Sequence, residues 1–553
     1  MADFRKIFFV LAGLLLVISS ASAQTTNLAC TAFVANQPIM RQEGATEPAG
    51  DIIIQCQGTP QGAQTGPQTL SLYTSAAITS RVEVSSTTGL LSIPTDAALM
   101  TGVSNVNGGV ENAATATQGF LQNGSLVFSG FTLPAGGVPF SVRITNVRIN
   151  SNALASGSFV TGTILATFPI QNQSGLVLGA VQSSLSVSIT SPPVSFAQCQ
   201  SQTASGSQTA LVGALKVSEL VNTAFKTRGS ATTNGVGNWY QNGVNTESQT
   251  IFTPPTTWGS PIAVPGQADW ATRIRVNVAN IPGGVTVYMP VSIMSGTTGQ
   301  LIATSAGDLG TFTPATGSSL SGVSNTTFIA LTSSSSVTYE VVQQNGSGID
   351  SFSFPIYVGY TYTPPATPAV GTVSVSATYA PTTAETTTQI PRFADTSVLS
   401  PLFQLTACQT DLLFTFLTNQ AGFDTGIAIS NTSTDPWGTA NQNGTCQLNW
   451  YGTGPAAGTA TTTSSIASGS TYANLVSTLA PGFQGYMIAI CNFQFGHGFA
   501  FISDGYGQPG RGLAQGYLAN VVPTPGVAYA GTRQPYDASK TPANTASGEA
   551  LNQ

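Results

Sequence analysis

The sequence predicts an all-β protein made of several immunoglobulin-like β-sandwich domains in series, stapled by disulfides. Three observations carry this prediction. Apolar and polar residues alternate with a period of two in many short segments, the pattern of half-buried antiparallel strands. Gly, Pro, Asn and Ser separate these segments, as turns between strands require. Six cysteines, an even number, accompany an N-terminal export signal.

The segment 272–278 shows the alternation most clearly. It places Ile274 and Val276 on one face and Arg273 and Arg275 on the opposite face, which we expect to meet solvent. The same period recurs in 185–189, 352–362 and 373–379.

The segment 140–149 departs from this regular alternation. Its apolar period slips by one residue at Thr145-Asn146. An extra residue in one strand of an antiparallel pair produces such a slip, so the sequence predicts a β-bulge there.

The chain is very poor in charge. Its 553 residues include 15 basic and 21 acidic side chains, 7 % of the total, against roughly 25 % in an average soluble domain. A net charge of −6 with scattered basic residues excludes a nucleic-acid binder. The single histidine excludes a metal site with two or more histidines. Neutral Ser, Thr, Asn and Gln are therefore expected to form the solvent-facing sides of the strands.

The N-terminus predicts export. Arg5 and Lys6 precede an apolar run at 7–18, and an Ala-x-Ala site ends at Ala23. These features define a signal peptide at residues 1–23. A transmembrane anchor is the alternative, although the run is shorter than the ~20 residues that span a bilayer. We expect an extracellular or cell-surface protein, with the periplasm as the other location, and no membrane span in the mature chain.

The cysteines predict the disulfide framework. Six cysteines allow 15 pairings. Proximity favours Cys30–Cys56 and Cys446–Cys491, and exclusion then leaves Cys199–Cys408. Free thiols are the alternative, and the absence of any C-x-x-C spacing argues against zinc.

Proline-rich segments and a change in sequence composition near residue 390 mark the predicted domain boundaries. The predicted units are the signal peptide 1–23, sandwich domains at 24–195, 196–390 and 391–522, and a polar, disordered tail at 523–553.

The last block, residues 408–522, has the densest strand pattern. Its segments 423–433, 481–492 and 497–504 resemble a C-terminal domain that exported, uncharacterised β-rich proteins of soil bacteria share. The resemblance implies an exported β-protein and supplies no catalytic residue. This chain departs from that pattern in the polar residues that follow the block.

Four aromatic residues in a Gly-, Asn- and Thr-rich part of the middle domain suggest a ligand surface. They are Trp239, Tyr240, Trp258 and Trp270. Exposed aromatic rings among amide side chains suit sugars, whose C–H groups pack on the rings while their hydroxyls form hydrogen bonds. The alternative is that the tryptophans fill sandwich cores.

Three oxygen-bearing side chains of the last block are weak calcium candidates. Asp424, Asn431 and Asp435 match no known calcium-loop spacing. The alternative is that they cap turns.

Two further groups bear on catalysis. His497 could act as a base with one of three acids, Asp424, Asp435 or Asp504, and with Ser430, Ser433 or Ser503 as nucleophile, yet no G-x-S-x-G elbow is present. Carboxylates at 43–51 could form a glycosidase pair, or a salt-linked loop with Arg41. We predict no catalytic residue and no cofactor.

These observations together predict an exported cell-surface or extracellular structural or adhesion protein without catalytic activity. Its expected partners are copies of itself or surface glycans. One alternative is a carbohydrate-binding protein that uses the middle-domain aromatics, and a second is a hydrolase with an unrecognised site.

Overall fold

The computed structural model describes residues 27–82, 92–103, 111–191, 193–198, 201–204, 211–229, 244–258, 264–361, 368–436, 441–504 and 512–522. Within these ranges the chain is almost entirely β-structure. The helical elements there are the one-turn α-helix Val476–Leu479 and the 3-10 turns Gly62–Thr65 and Ala113–Thr115. The predicted all-β fold class is confirmed. No helix in the described ranges is long and apolar enough to cross a membrane.

The N-terminal domain wraps one large sheet around a single core. Its strands are β1 (Ala29–Val34), β2 (Ile39–Arg41), β3 (Glu47–Pro48), β4 (Ile52–Gln57), β5 (Gln68–Thr74), β6 (Ile93–Val103), β7 (Thr117–Gln122), β8 (Ser125–Phe131), β9 (Phe140–Thr145), β10 (Arg148–Ile149), β11 (Phe159–Ala166), β12 (Ile170–Gln171) and β13 (Leu176–Gln182). Eleven described strands form the order β12-β1-β4-β9-β6-β7-β8-β5-β11-β13-β2, while β3 pairs with β10. Strands distant in this order share one buried cluster, which includes Ile54, Leu72 and Leu178.

The middle domain is a two-sheet sandwich. Its strands are β14 (Leu185–Ile189), β15 (Val194–Ala197), β16 (Leu211–Glu219), β17 (Arg273–Ala279), β18 (Val285–Pro290), β19 (Ser292–Ser295), β20 (Gly299–Thr304), β21 (Ser318–Ser319), β22 (Thr327–Leu331), β23 (Ser335–Gln343), β24 (Ser351–Tyr360), β25 (Gly371–Ala380) and β26 (Ser400–Thr406). The described strands form the orders β14-β16-β24-β18-β22-β21 and β15-β26-β25-β17-β23-β20-β19. Inward side chains such as Ile274 and Phe354 fill the space between the sheets.

The C-terminal domain is a smaller sandwich. Its strands are β27 (Thr410–Thr418), β28 (Asp424–Asn431), β29 (Cys446–Thr453), β30 (Ala460–Thr462), β31 (Thr471–Leu475), β32 (Gln484–Cys491), β33 (Gly496–Ser503), β34 (Ala514–Leu518) and β35 (Asn520–Val522). The described strands form one sheet in the order β30-β29-β32-β27-β35 and another in the order β31-β28-β33-β34. Trp450 lies in the core between them and is fully buried.

The middle domain begins earlier and ends later than the sequence predicts. β14 pairs with β16, and β15 pairs with β26, so the middle domain starts near Leu185 and not at 196. β26 also pairs with β25, so this domain ends near Thr406 and not at 390. The Pro-rich segment around 191–193 therefore lies between two strands, β14 and β15, that belong to different sheets of one domain.

The cysteines pair as proximity predicts. Cys30–Cys56 and Cys446–Cys491 each join directly opposed residues of neighbouring antiparallel strands. Both pairings are confirmed. Cys408 is also disulfide-bonded and packs against Ala197 of the middle domain, whereas Cys199 lies outside the described residues.

Arg41 joins the N-terminal and middle domains. Its guanidinium is fully buried and forms ion pairs with Glu47 at 2.7 Å and with Glu247 at 2.8 Å. The same group donates to the Thr272 hydroxyl and lies over the Phe393 ring, with its Cζ atom 4.7 Å from the ring centroid. A side chain of the first domain is thus enclosed by residues of the second.

The charge on this arginine is held by its partners. Burial alone disfavours the charged guanidinium, but Glu247 and Glu47 raise the pKa of Arg41 well above its usual value. Burial would likewise raise the pKa of Glu247, yet Arg41 lowers it. Burial lowers the pKa of Lys226, at the same interface, to about 8 despite the opposing effect of Glu47. The ion pair is therefore charged on both sides.

The segment before β17 extends this interface with hydrogen bonds and apolar contacts. Gln249 donates to the Ala49 carbonyl at 3.1 Å, and Asn146 donates to the Thr250 carbonyl at 3.0 Å. Asn146, with a φ of 59°, turns the chain out of β9 at the point where the sequence predicts a bulge. The period slip thus marks the end of a strand and a contact between domains.

Much of the small complement of charge is internal. The buried charged side chains of the described residues are Arg41, Glu43, Glu47, Arg81, Asp96, Glu111, Arg148, Glu219, Lys226, Glu247, Arg273, Glu340, Asp350 and Asp411. Arg273, predicted to face solvent, is among them and pairs with Glu340 at 2.7 Å. That part of the prediction is wrong, because a nominally outward strand face is covered by other chain segments.

We predict that Glu247→Ala destabilises the N-terminal and middle domains together. Arg41 would lose one of its two buried carboxylates, and breaking a buried pair costs about 3–5 kcal/mol. Urea unfolding followed by tryptophan fluorescence measures the free energy of unfolding.

Asp395→Ala is the control for this substitution. Asp395 pairs with Arg275 at 3.2 Å but is 49 % exposed, so its loss should cost less than about 1 kcal/mol. Equal losses in the two variants would contradict a special role for the buried pair.

Candidate functional site

The middle-domain tryptophans do not form the predicted exposed platform. Trp258 is 6 % exposed and Trp270 is 2 % exposed. The predicted exposure of these two residues is therefore wrong, and the alternative, that they fill cores, describes them correctly. Trp239 and Tyr240 lie outside the described residues.

Contacts between chain segments explain this burial. Trp258 packs edge-on against Phe252, and its indole N–H donates to the Ala116 carbonyl of the N-terminal domain at 3.0 Å. The Trp270 N–H donates to the Pro391 carbonyl at 3.1 Å, while Arg273 lies over the Trp270 ring. Both tryptophans are structural anchors.

The predicted calcium ligands are not brought together. Asp424 and Asn431 begin and end β28, so their backbones are about 23 Å apart at ~3.3 Å per residue. Asp424 accepts from the Ser477 backbone N–H, and Asn431 accepts from the Ser433 hydroxyl. Asp435 lies in the loop after β28. The contacts of Asp424 and Asn431 are those of turn-capping side chains, which is the alternative to a calcium site. In the described part of the chain, no three His, Cys, Asp or Glu residues cluster as metal ligands.

His497 lies in a strand and is far from two of its three candidate acids. It is opposite Ser430 in the register of β28 and β33. Asp424 is opposite Ser503, six residues further along β33, and Asp504 follows directly. At ~3.3 Å per residue this separation is about 20 Å. Neither acid can orient the His497 imidazole.

The N-terminal carboxylates are engaged within the protein. Glu43 accepts from Ser184 at 2.7 Å, Glu47 pairs with Arg41 at 2.7 Å, and Asp51 pairs with Arg143 at 2.9 Å. The salt link with Arg41 is therefore present. It is buried, and it reaches across to the middle domain.

A cavity of about 350 Å³ lies beside β14 and β25 of the middle domain. Its lining is mostly aliphatic and includes Leu185, Val187 and Val375. Among the described lining residues Glu43 is the one ionisable side chain, and its carboxylate accepts a hydrogen bond from the Ser184 hydroxyl. These residues offer no acid–base pair of the kind that hydrolysis uses.

Exposed aromatic side chains occur instead in the two outer domains, and the described residues of the middle domain contribute none. Those of the N-terminal domain are Phe33, Tyr73 and Phe159, and those of the C-terminal domain are Phe416, Tyr451, Tyr486, Phe499 and Phe501. Sequence reasoning missed them because it weighted tryptophan. The available signal was their alternation with buried neighbours such as Trp450 and Met487.

Tyr451 and Tyr486 form a stacked pair on the outer face of one sheet. They are register partners on β29 and β32, with ring centroids 5.1 Å apart and ring planes 15° apart. Each is a little over 40 % exposed. We call these two residues the tyrosine pair.

Two glycines hold the strands of the tyrosine pair in register. Gly452 and Gly485 are the next register partners. A Cβ atom on Gly485 would lie 2.1 Å from the Tyr451 carbonyl oxygen, and one on Gly452 would lie 2.2 Å from the Gln484 carbonyl oxygen. The backbones approach so closely that any side chain at either position would push the strands apart.

Uncharged residues surround the tyrosine pair; most are polar, and the half-buried Ile488 and Ile490 continue its face along β32. Gln447, Asn449 and Thr453 alternate with buried residues on β29, and Gln484 is opposite Thr453 on β32. The Asn449 amide donates to the Ile488 carbonyl at 3.2 Å, which fixes it against the sheet. The whole block 408–522 contains five charged side chains, which are Asp411, Asp424, Asp435, Asp504 and Arg511.

The other sheet of this domain presents an apolar face. Phe499 and Phe501 lie along β33 with ring centroids 6.4 Å apart. Leu518 of β34 is opposite Phe499, and a Cβ atom on Gly516 would lie 2.6 Å from the Phe499 ring. The Phe499 ring therefore covers β34 at a position where that strand has no side chain.

Comparisons with known proteins identify no family. No protein-family model matches the chain, and no curated protein matches it in sequence. The predicted kinship of block 408–522 with exported proteins of soil bacteria stays a prediction.

Solved structures give distant alignments. The serine-rich repeat protein Srr2 of Streptococcus agalactiae aligns at 8 % identity, 68 % of this chain, 92 % of that chain and a TM-score of 0.18. The pilus backbone RrgB of Streptococcus pneumoniae aligns at 7 % identity over 89 % of this chain and 93 % of that chain, with a TM-score of 0.16. The CupB6 tip adhesin of Pseudomonas aeruginosa aligns at 8 % identity over 68 % of this chain and 98 % of that chain, with a TM-score of 0.18. TM-scores this low do not establish a shared overall fold.

We predict that Gly485→Ala destabilises the C-terminal domain and separates the tyrosine pair. The new methyl group would meet a backbone oxygen that no rotamer change can move, so the cost should be about 1–3 kcal/mol. Urea unfolding and near-ultraviolet circular dichroism of tyrosine measure the two effects.

Gly283→Ala is the matched control for this change. A Cβ atom at Gly283 meets no atom within 4 Å, so the change should stay within about 0.5 kcal/mol. The register account is wrong if the two alanine variants are equally stable.

Proposed function

We propose that this protein is an exported structural or adhesion protein, located at the cell surface or in the extracellular matrix, and that it works by binding and not by catalysis. The single observation that carries the proposal is the placement of exposed aromatic side chains in the C-terminal domain. Tyr451 and Tyr486 lie on the outer face of one of its sheets, and Phe499 and Phe501 lie on that of the other, in a domain with five charged residues.

The rest of the chain supports a scaffold role. The N-terminal and middle domains are joined through buried ion pairs and hydrogen bonds, which stiffen a multi-domain protein. Cross-strand disulfides favour an oxidising, extracytoplasmic location. The export signal predicted at residues 1–23 agrees with this location.

The described candidate sites favour binding over hydrolysis. Among the described residues that line the middle-domain cavity, Glu43 is the one ionisable side chain, and it is hydrogen-bonded to Ser184. In the C-terminal domain, His497 is far from Asp424 and Asp504. The exposed aromatics, by contrast, present ring surface to solvent that a partner could contact. Aromatic side chains contribute large contact areas at a binding surface for little loss of conformational freedom.

Self-association is a second mode of binding for the same domain. β34 is an edge strand of its sheet, and its residues at 514–518 carry no charge and no proline that would block pairing with another strand. The apolar side chains Phe499, Phe501 and Leu518 lie beside this edge.

Coated beads test the proposed function. Fluorescent beads that carry the purified mature chain should cluster with one another or remain on surfaces coated with bacterial cell-wall polysaccharide under flow. The same assay should release no reducing sugar or peptide fragment. Uncoated beads and beads coated with serum albumin are the controls.

Two outcomes would contradict the proposed function. One is that coated beads neither cluster nor remain on any surface more than the control beads do. The other is release of product that His497→Ala abolishes, which would establish a hydrolase.

A further inference from the structure

We propose that the outer face of the β30-β29-β32 sheet, centred on the tyrosine pair, is a binding site for an uncharged polysaccharide. The inference deepens the adhesion role proposed above and rests on it. It replaces the middle-domain tryptophans with a different surface, in a different domain, as the site of sugar contact.

The tyrosine pair presents an ordered aromatic surface. Tyr451 and Tyr486 stack at 5.1 Å and form one aromatic block that projects from the sheet. Each tyrosine has two side-chain torsions, and stacking restricts them further. A ligand therefore meets a surface that is already ordered, which lowers the entropy cost of binding.

The groups around the two rings suit the chemistry of a sugar. Sugar rings offer C–H groups that pack on aromatic carbon and hydroxyl groups that require hydrogen-bond partners. Gln447, Thr453 and Gln484 are exposed on the same two strands, and they carry amide and hydroxyl groups suited to such hydroxyls.

The described strands of this face offer an ionic partner little complementary charge. The outward residues of β29 and of β32 are uncharged, and the nearest acidic residue of β27, Asp411, is buried. Block 408–522 contains a single arginine and no lysine. A polyanion would find almost no basic partner on this domain, so the surface fits a neutral polymer.

The face around the tyrosine pair differs in chemistry from the apolar face of the other sheet. Phe499 and Phe501 have glycine, alanine and leucine as their cross-strand neighbours. That surface offers few hydrogen-bonding groups and fits a protein contact better. The tyrosine pair is the exposed aromatic cluster of the described residues that combines ring surface with flanking amides.

Retention on polysaccharides tests the proposal with the full mature chain. The probes are microcrystalline cellulose, soluble starch and dextran as uncharged polymers, and polygalacturonate as a charged one. We expect retention on at least one uncharged polymer. Tyr451→Ala and Tyr486→Ala should each raise the Kd about tenfold, the effect of losing a central aromatic contact.

Two further variants make the test specific. Tyr73→Ala removes an exposed tyrosine of the N-terminal domain and should leave the Kd unchanged. Tyr451→Phe keeps the ring, so it should bind within about threefold of the unchanged protein, as expected for loss of one hydrogen bond. Circular dichroism and urea unfolding check that every variant is folded.

Three results would overturn the proposal. These are no retention on any uncharged polymer, retention on polygalacturonate alone, or a Tyr451→Ala, Tyr486→Ala double variant that binds as tightly as Tyr73→Ala. If the double variant loses polysaccharide binding while coated beads still cluster, adhesion through self-association stands independently. If beads coated with the double variant remain on cell-wall polysaccharide as before, the adhesion role stands and this site is wrong.

Discussion

The pairing of Arg41 with Glu247 is the interaction on which the architecture of the first two domains depends. A guanidinium from β2 is enclosed by the middle domain, where it meets Glu247, Thr272 and the Phe393 ring. Removing such a group from water is costly unless every donor finds a partner. The fold meets this demand with Glu47 from its own domain and Glu247 from the other, so neither domain can bury Arg41 correctly alone.

This constraint gives the low charge content of the chain a more specific meaning. Many of the charged side chains are internal and join segments that are distant in sequence, as in the pairs Arg41–Glu247 and Arg81–Asp269. The surface is then left largely to neutral polar residues. The C-terminal domain carries very few charges, and it exposes both the tyrosine pair and the apolar face that contains Phe499 and Phe501. The proposed scaffold role thus falls to the first two domains, and the proposed binding role falls to the C-terminal domain.

Local patterns predict the strands well and the long-range contacts poorly. The alternation of 272–278 correctly buries Ile274 and Val276, because a period of two reports which side of a strand meets the core. It cannot report that a loop from elsewhere covers the other side, which is why Arg273 is buried. Cys30–Cys56 and Cys446–Cys491 were predictable because each pair links neighbouring strands. The domain boundaries were not, since β15 pairs with a strand about 200 residues away.

At the candidate site, too, local sequence patterns do not predict contacts between distant segments. Trp258 and Trp270 stand in polar sequence that favours exposure, yet each indole N–H binds a carbonyl from a distant segment. The tyrosine pair was within reach of sequence reasoning, because Tyr451 and Tyr486 alternate with buried residues and each adjoins a glycine. What the sequence does not contain is the register that stacks them, which depends on the close approach of Gly452 and Gly485.

Native-state hydrogen exchange across a urea series tests most directly whether the Arg41 interface makes the first two domains one cooperative unit. The account predicts that core amides of β4 and β9, in the N-terminal domain, exchange through the same opening as those of β17 and β25, in the middle domain. All four strands should share one free energy and one urea dependence. Exchange from β4 and β9 at a lower free energy and with a shallower urea dependence, while β17 and β25 stay protected, would contradict it.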